Sequence, residues 1–242
     1  MLEINYTCSL GGMCHSSRIL QRNKYKSCSY PFDWIFSSCD NIIHCIEDKF
    51  NIFLDKSYYI YISQSRCGHS KYNNSMFYHY NPLINLDHYN YYVRCVDRFK
   101  NLLQKQQRKL FIMTFNNMNN IDENIKNSII DFNSKFSKYT SNYILLVIFH
   151  IQNKEENYHI FTYEDNIHFL ELHTVSSLLN FEFINNNDNI YLDNIIKSKY
   201  NFIPHNDNTL KTTQMQFESI KHSHKDSHIK NTSRNFIMRL KI

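Results

Sequence analysis

Ile4-Asn5-Tyr6-Thr7-Cys8-Ser9-Leu10-Gly11-Gly12-Met13-Cys14-His15 runs from an apolar segment through two glycines into residues of helical spacing. The pattern predicts a strand over 4–10, a tight turn, and a helix over 14–22. The chain has three glycines and no alanine, so two adjacent glycines mark a place where a Cβ would clash or where φ must be positive. Cys14 then falls in the first turn of the helix. Unpaired N–H groups and the positive end of the helix dipole favour thiolate there, and thiolate is the form that attacks a carbonyl carbon. Cys14 is therefore the nucleophile candidate.

The rest of the chain bounds what this segment sits in. At 242 residues and 42% hydrophobic content it is long enough to bury a sizeable core. Asn, Ile, Lys, Tyr and Phe abound, the bias of an AT-rich coding sequence, so the asparagine runs at 116–120 and 185–187 read as loops rather than recognition elements. The 27 basic and 22 acidic residues are spread along the chain, and only the part from Lys211 onward is plainly basic. That is no nucleic-acid footprint, and no specific nucleic acid is expected as a partner. Seven cysteines without a C-x-x-C pair exclude a zinc ribbon or a disulfide framework and point to free thiols in a reducing, cytoplasmic setting. The longest apolar stretch, Tyr143 to Phe149, is far short of the roughly 20 residues a spanning helix needs, and the first residues lack a signal-peptide pattern. No membrane partner is expected, and the sequence is silent on oligomeric state.

Further along, periodicity predicts helices over 40–50, 87–106, 121–136 and 190–199. It predicts strands over 58–63, 110–115 and 143–150, and a hairpin of 158–163 with 167–173 around Glu164-Asp165-Asn166. The segment 67–82 reads as irregular. Strand, helix, strand, helix, strand builds a mainly parallel sheet flanked by helices, an α/β fold with one short antiparallel hairpin. Pro204 and Asn206-Asp207-Asn208 mark a boundary, giving a single domain over 1–205 and a polar, basic, partly disordered tail over 206–242.

A second motif, Ser29-Tyr30-Pro31-Phe32-Asp33-Trp34-Ile35, holds the only tryptophan. Together with Ser9-Leu10-Gly11 and Cys14 it resembles a family described as putative papain-like cysteine peptidases, found in bacteria and in large DNA viruses. A weaker echo runs through Phe77-Tyr78-His79, Arg94 to Phe99 and Leu110 to Thr114, so the likeness covers the first half to two-thirds of the chain. The resemblance implies a thiol hydrolase acting on a peptide or protein substrate, with no cofactor, located in the host cytoplasm if the source is viral. It makes Cys14 the nucleophile and a downstream histidine the base.

Of thirteen histidines, His79 is the first choice because it follows Phe77-Tyr78 in the likeness and lies in a segment able to return to the sheet edge. His69, in Cys67-Gly68-His69, is the second. His15 points about 100° around the helix from Cys14 and cannot serve. Asp33 is a candidate to orient the base, or else bonds backbone N–H groups of the Pro31 turn. Gly11, Gly12 and Trp34 are substrate-binding candidates, with Trp34 also readable as core packed beneath the Cys14 helix. His222, His224 and His228 have metal-capable spacing in a polar tail and are read as solvated, so no metal is assigned.

Two other classes stay open. Strand, Gly-Gly turn and helix is also the start of a phosphate-binding crossover, which would make the protein a nucleotide- or nucleotide-sugar-binding transferase. The α/β order suits that reading, whereas papain-like folds place the base on an antiparallel sheet apart from the nucleophile helix. Against it, there is no third glycine, no Walker lysine and no Asp-x-Asp. The other class is a non-enzymatic interaction module, which a buried Cys14 with no histidine nearby would favour.

Overall fold

A computed structural model describes residues 1–203 apart from Met13 and Lys154. The expected tail over 206–242, with His222, His224 and His228, lies outside the described residues. The first part of the chain forms β1 (Leu2–Ile4), β2 (Tyr6–Ser9), α1 (Cys14–Arg22), α2 (Cys39–Glu47) and α3 (Asn51–Leu54). Then come β3 (Tyr59–Ser63), β4 (Arg66–His69), β5 (Asn73–Phe77), α4 (Leu86–Leu103), β6 (Lys109–Met118), α5 (Glu123–Phe136) and β7 (Tyr143–Gln152). The last elements are β8 (Tyr158–Glu164), β9 (Ile167–Thr174), β10 (Leu178–Leu179), β11 (Glu182–Phe183), α6 (Asn186–Lys199) and β12 (Tyr200–Phe202).

The central sheet has the order β2-β6-β7-β9-β8. Its first four strands are parallel, and β8 closes one edge antiparallel to β9 through the hairpin turn at Asp165, whose φ is +51°. The middle strand β7 reads as an unbroken apolar run because both of its faces are covered. On one face Leu110, Ile112, Ile144, Leu146, Ile148, Leu170 and Leu172 pack against Ile19 and Leu20 of α1 and Leu192, Ile195 and Ile196 of α6. The alternate residues point the other way: Phe111 meets Phe99 of α4 and Phe136 of α5 edge to face. The expected α/β architecture, mainly parallel with flanking helices and a short hairpin, is the observed one.

Local differences have local causes. The predicted strand over 4–10 divides at Asn5, whose side chain accepts the N–H of Arg108 at 3.2 Å; β1 pairs with β12 while β2 pairs with β6. The predicted helix over 40–50 stops at Glu47, because Lys49 and Phe50 turn left-handed at φ +56° and +64°. That reversal drops Phe50 among Phe32, Phe53 and Phe99, and burial of the ring holds the strained backbone. The largest difference lies in 67–82, read as irregular. It contributes β4 and β5 to a separate three-stranded antiparallel sheet, β3-β4-β5. Gly68 allows this pairing, since a Cβ there would lie 2.2 Å from the carbonyl oxygen of Asn74. The strand was hidden because its outward residues, Asn73 to Ser75, are polar and exposed.

Gly12 fixes where α1 begins. Its φ is +83°, and a Cβ would lie 2.3 Å from the carbonyl oxygen of Thr114 at the end of β6. Gly12→Ala is expected to destabilise the protein by on the order of 1–3 kcal/mol, combining left-handed strain with a backbone clash. Thermal melting measures this, and an unchanged midpoint would show that the contact carries no strain.

Candidate active site

Cys14 is the first residue of α1. The helix is held from three sides. Ser16 Oγ donates to Gly11 O at 3.1 Å and contacts Ser9 Oγ at 2.6 Å, which ties its first turn back to β2. Buried His15 donates from Nδ1 to Asn116 Oδ1 at 3.0 Å, which ties it to the end of β6. Arg22 forms an ion pair with Asp193 at 2.6 Å, and Arg18 with Glu182 at 2.8 Å, which tie it to α6 and β11. A thiol mounted this way is held on rigid structure rather than on a loop.

The partner comes from the other sheet. Ile35 bridges Phe77, the last residue of β5, and the chain then turns outward so that His79 Nε2 lies 3.5 Å from Cys14 Sγ. That distance is within hydrogen-bonding reach for sulfur. His79 is exposed, with Tyr78 and half-buried Trp34 both edge-on to its ring at centroid distances of 5.4 and 6.1 Å. Arg66 stacks over the Tyr78 ring at 3.7 Å. The thiol thus stands on the helix that follows β2 of the parallel sheet, and the imidazole just past β5 of the antiparallel sheet.

The motif Ser29 to Ile35 acts through Asp33. Its carboxylate is 1% exposed, pairs with Lys26 and accepts the N–H of Tyr30 at 2.8 Å. Lys26 also donates to Ser17 Oγ on α1 and lies 5.1 Å from the Trp34 ring centre. Asp33 is therefore a fastener between this turn and the helix that carries Cys14, with Lys26 and the Tyr30 N–H both on Oδ2. Burial pushes the Asp33 carboxyl up and Lys26 pulls it down. Trp34 is half-buried beside His79 rather than core; the core residues of the motif are Tyr30, Phe32 and Ile35.

His69 is fully buried elsewhere. Its Nε2 donates to Ile52 O at 3.0 Å and its Nδ1 accepts the N–H of Lys71 at 3.2 Å, while Tyr58, Tyr59, Tyr72 and Phe77 surround the ring. Burial lowers its pKa, and both nitrogens are committed to backbone. His15 is likewise packed, and burial lowers its pKa to about 3. The Gly11 N–H is taken by Ser9 Oγ at 3.1 Å and the Gly12 N–H by Ser37 Oγ at 3.2 Å. These two N–H groups are thus engaged within the turn, whereas a phosphate cradle needs such groups turned outward.

The thiol itself departs from expectation. Burial pushes the Cys14 pKa up to about 11, more than the N–H at the helix start and Lys26 bring it down. Desolvation of the charged form outweighs the helix terminus. All seven cysteines are free; Cys14 and Cys39 are half-buried and the other five are buried.

Fold and site together define an α/β protein with a thiol and an imidazole in contact at the junction of two sheets. Residues 5–71 match the model of a family described as putative papain-like cysteine peptidases. That span includes Cys14, Asp33, Trp34 and His69, and His79 lies beyond it. No curated protein and no solved structure matches the chain. Among the described residues no helix is long and apolar enough to cross a membrane, and no group of three His, Cys, Asp or Glu is placed to hold a metal ion. Lys26 was not legible from sequence, since nothing in its spacing to Asp33 signals a pair; Tyr78 adjoins His79 and was.

Two outcomes follow. Removing one partner of the buried Lys26–Asp33 pair strands a charge, so Asp33→Ala should cost about 3–5 kcal/mol, whereas Lys26→Met with Asp33→Leu should cost much less. Equal losses in thermal melts would count against the fastener. Iodoacetamide should label Cys14 before Cys39, whose pKa burial pushes higher still, to about 12; peptide mapping would read the order, and the reverse order would contradict it.

Proposed function

We propose that the protein is a cysteine hydrolase that cleaves a peptide or amide bond, with Cys14 as nucleophile and His79 as base. The observation that supports this most directly is the 3.5 Å approach of His79 Nε2 to Cys14 Sγ. With burial pushing its pKa up to about 11, Cys14 rests as the thiol. The thiol proton passes to Nε2 as sulfur attacks the carbonyl carbon. The first-turn N–H groups of α1, which have no intrahelical acceptor, are the candidate donors to the oxyanion of the tetrahedral intermediate. Nε2 then protonates the leaving amine as the C–N bond breaks, which leaves a thioester on Cys14. Water, giving a proton to Nε2, attacks that thioester; the acid departs and the thiol is restored. These steps use a thiol, an imidazole and water, and the substrate is a peptide or protein. Free thiols suit a reducing compartment such as the cytoplasm.

The reading is tested on a panel of fluorogenic peptide amides. Cys14→Ser and His79→Ala should each lower kcat/KM by about 10²-fold or more without lowering the melting temperature. Alkylation separates the roles. Because the Cys14 pKa is raised, its thiolate fraction in His79→Ala should grow about tenfold per pH unit between about pH 7 and 9, while the wild type reacts faster at neutral pH. Equal rates for the two proteins at neutral pH would remove His79 from the mechanism.

A further inference from the structure

A cavity of about 400 Å³ opens beside the Gly11-Gly12 turn, and the proposed chemistry does not use it. Its walls are Gly12, the start of α2 from Ser37 to Asp40, the end of β6 from Met113 to Asn116, and Ile125 and Ser128 of α5. Two of these walls adjoin the nucleophile. Gly12 precedes Cys14 by two residues, and Asn116 is the acceptor for His15, the residue after Cys14. An occupant would therefore lie against the supports of the helix that carries the thiol.

The chemistry of the walls selects the occupant. Met113, Phe115, Ile125 and Cys39 supply apolar and sulfur surface. The hydroxyls are already engaged: Ser37 Oγ donates to Leu10 O and accepts from Gly12, Ser38 Oγ accepts from Asn41, and Ser128 Oγ donates to Ile125 O. Asp40 is the charged residue in the lining, and no lysine or arginine joins it. Asp131 adds to the negative potential at Cys39, and its own partner is exposed Lys135 at 2.7 Å. A carboxylate entering here would lose water, meet a like charge and find no cation, whereas an uncharged apolar group would meet complementary surface. The volume is at the lower end for ligand pockets and generous for one large side chain.

We propose, resting on the cysteine-hydrolase reading, that this cavity receives a large uncharged apolar side chain of the substrate, of the leucine, methionine or phenylalanine kind, and rejects acidic ones. Binding is tested apart from catalysis. The Cys14→Ser protein, labelled at its methionine methyls and with Met113 assigned through Met113→Leu, is titrated with N-acetyl-leucine amide and with N-acetyl-aspartate amide. The leucine amide should shift the Met113 methyl saturably, and the aspartate amide should bind about tenfold more weakly or less. Ser128→Trp, at an exposed position on the cavity wall, should abolish the shift. In the active protein the same change should lower kcat/KM about tenfold for a leucine-bearing peptide and leave Cys14 alkylation unchanged. Equal responses to the two amides, or no saturable response up to their solubility, would overturn the pocket. A leucine-selective shift in a protein that hydrolyses none of the peptides would keep the pocket and sink the hydrolase reading.

Discussion

Gly12 lies against the backbone of Thr114 so closely that no side chain fits between them, and the geometry of the site descends from that contact. It sets the point at which the chain leaving β2 turns into α1, and so places Cys14 at the C-terminal end of the parallel strands, where open α/β sheets present their functional groups. Ser9, Ser16 and Ser37 consume the polar groups that such a tight reversal would otherwise leave buried and unpaired. The next link is the Lys26–Asp33 pair, which fastens the Pro31 turn onto α1. From that turn Trp34 reaches the His79 ring, and Ile35 bridges Phe77 two residues before the histidine. Thiol and imidazole thus meet through a short relay of backbone contacts and one buried ion pair.

Opposing effects act on the thiol, and their sizes decide its state. A helix terminus favours a nearby anion by about 0.3–1 kcal/mol when exposed. Moving the thiol pKa from its ordinary 9.0 to about 11 corresponds to on the order of 3 kcal/mol against the thiolate. Burial wins. A helix-start cysteine is therefore not by that fact alone a thiolate, and the role proposed for His79 is to take the proton during attack rather than to hold a standing ion pair. Asp33 repeats the lesson with the same sign, since burial raises its carboxyl more than Lys26 and the Tyr30 N–H bring it down.

Much of the fold was legible because its signals are local. The apolar run Tyr143 to Phe149 could only be a covered strand, the glycine pair could only be a tight reversal, and α1 begins at Cys14 as its spacing indicates. Asp122 capping α5 and Asp165 turning the hairpin β8–β9 are side-chain-to-backbone effects that act within a few residues. The antiparallel sheet was not legible in 67–82. Its strands are short, their outer residues polar, and their pairing rests on Gly68 admitting another backbone, a contact between residues with no periodic relation.

The sequence by itself determined the strand-turn-helix that carries Cys14, the alternation that builds a parallel sheet, and the two motifs that carry the family likeness. These depend on backbone conformation and side-chain period, which neighbouring residues dictate. Tertiary structure decided which histidine meets the thiol and which is packed away. His69 ends β4 and His79 lies just past β5, yet the first is enclosed by Tyr58, Tyr72 and Phe77 and the second stands beside Cys14. It also decided that Asp33 pairs with Lys26, that Trp34 is half-exposed, and that burial raises the thiol pKa. Each of these depends on desolvation and on contacts between segments distant in the chain, and neither quantity exists until the two sheets are brought together.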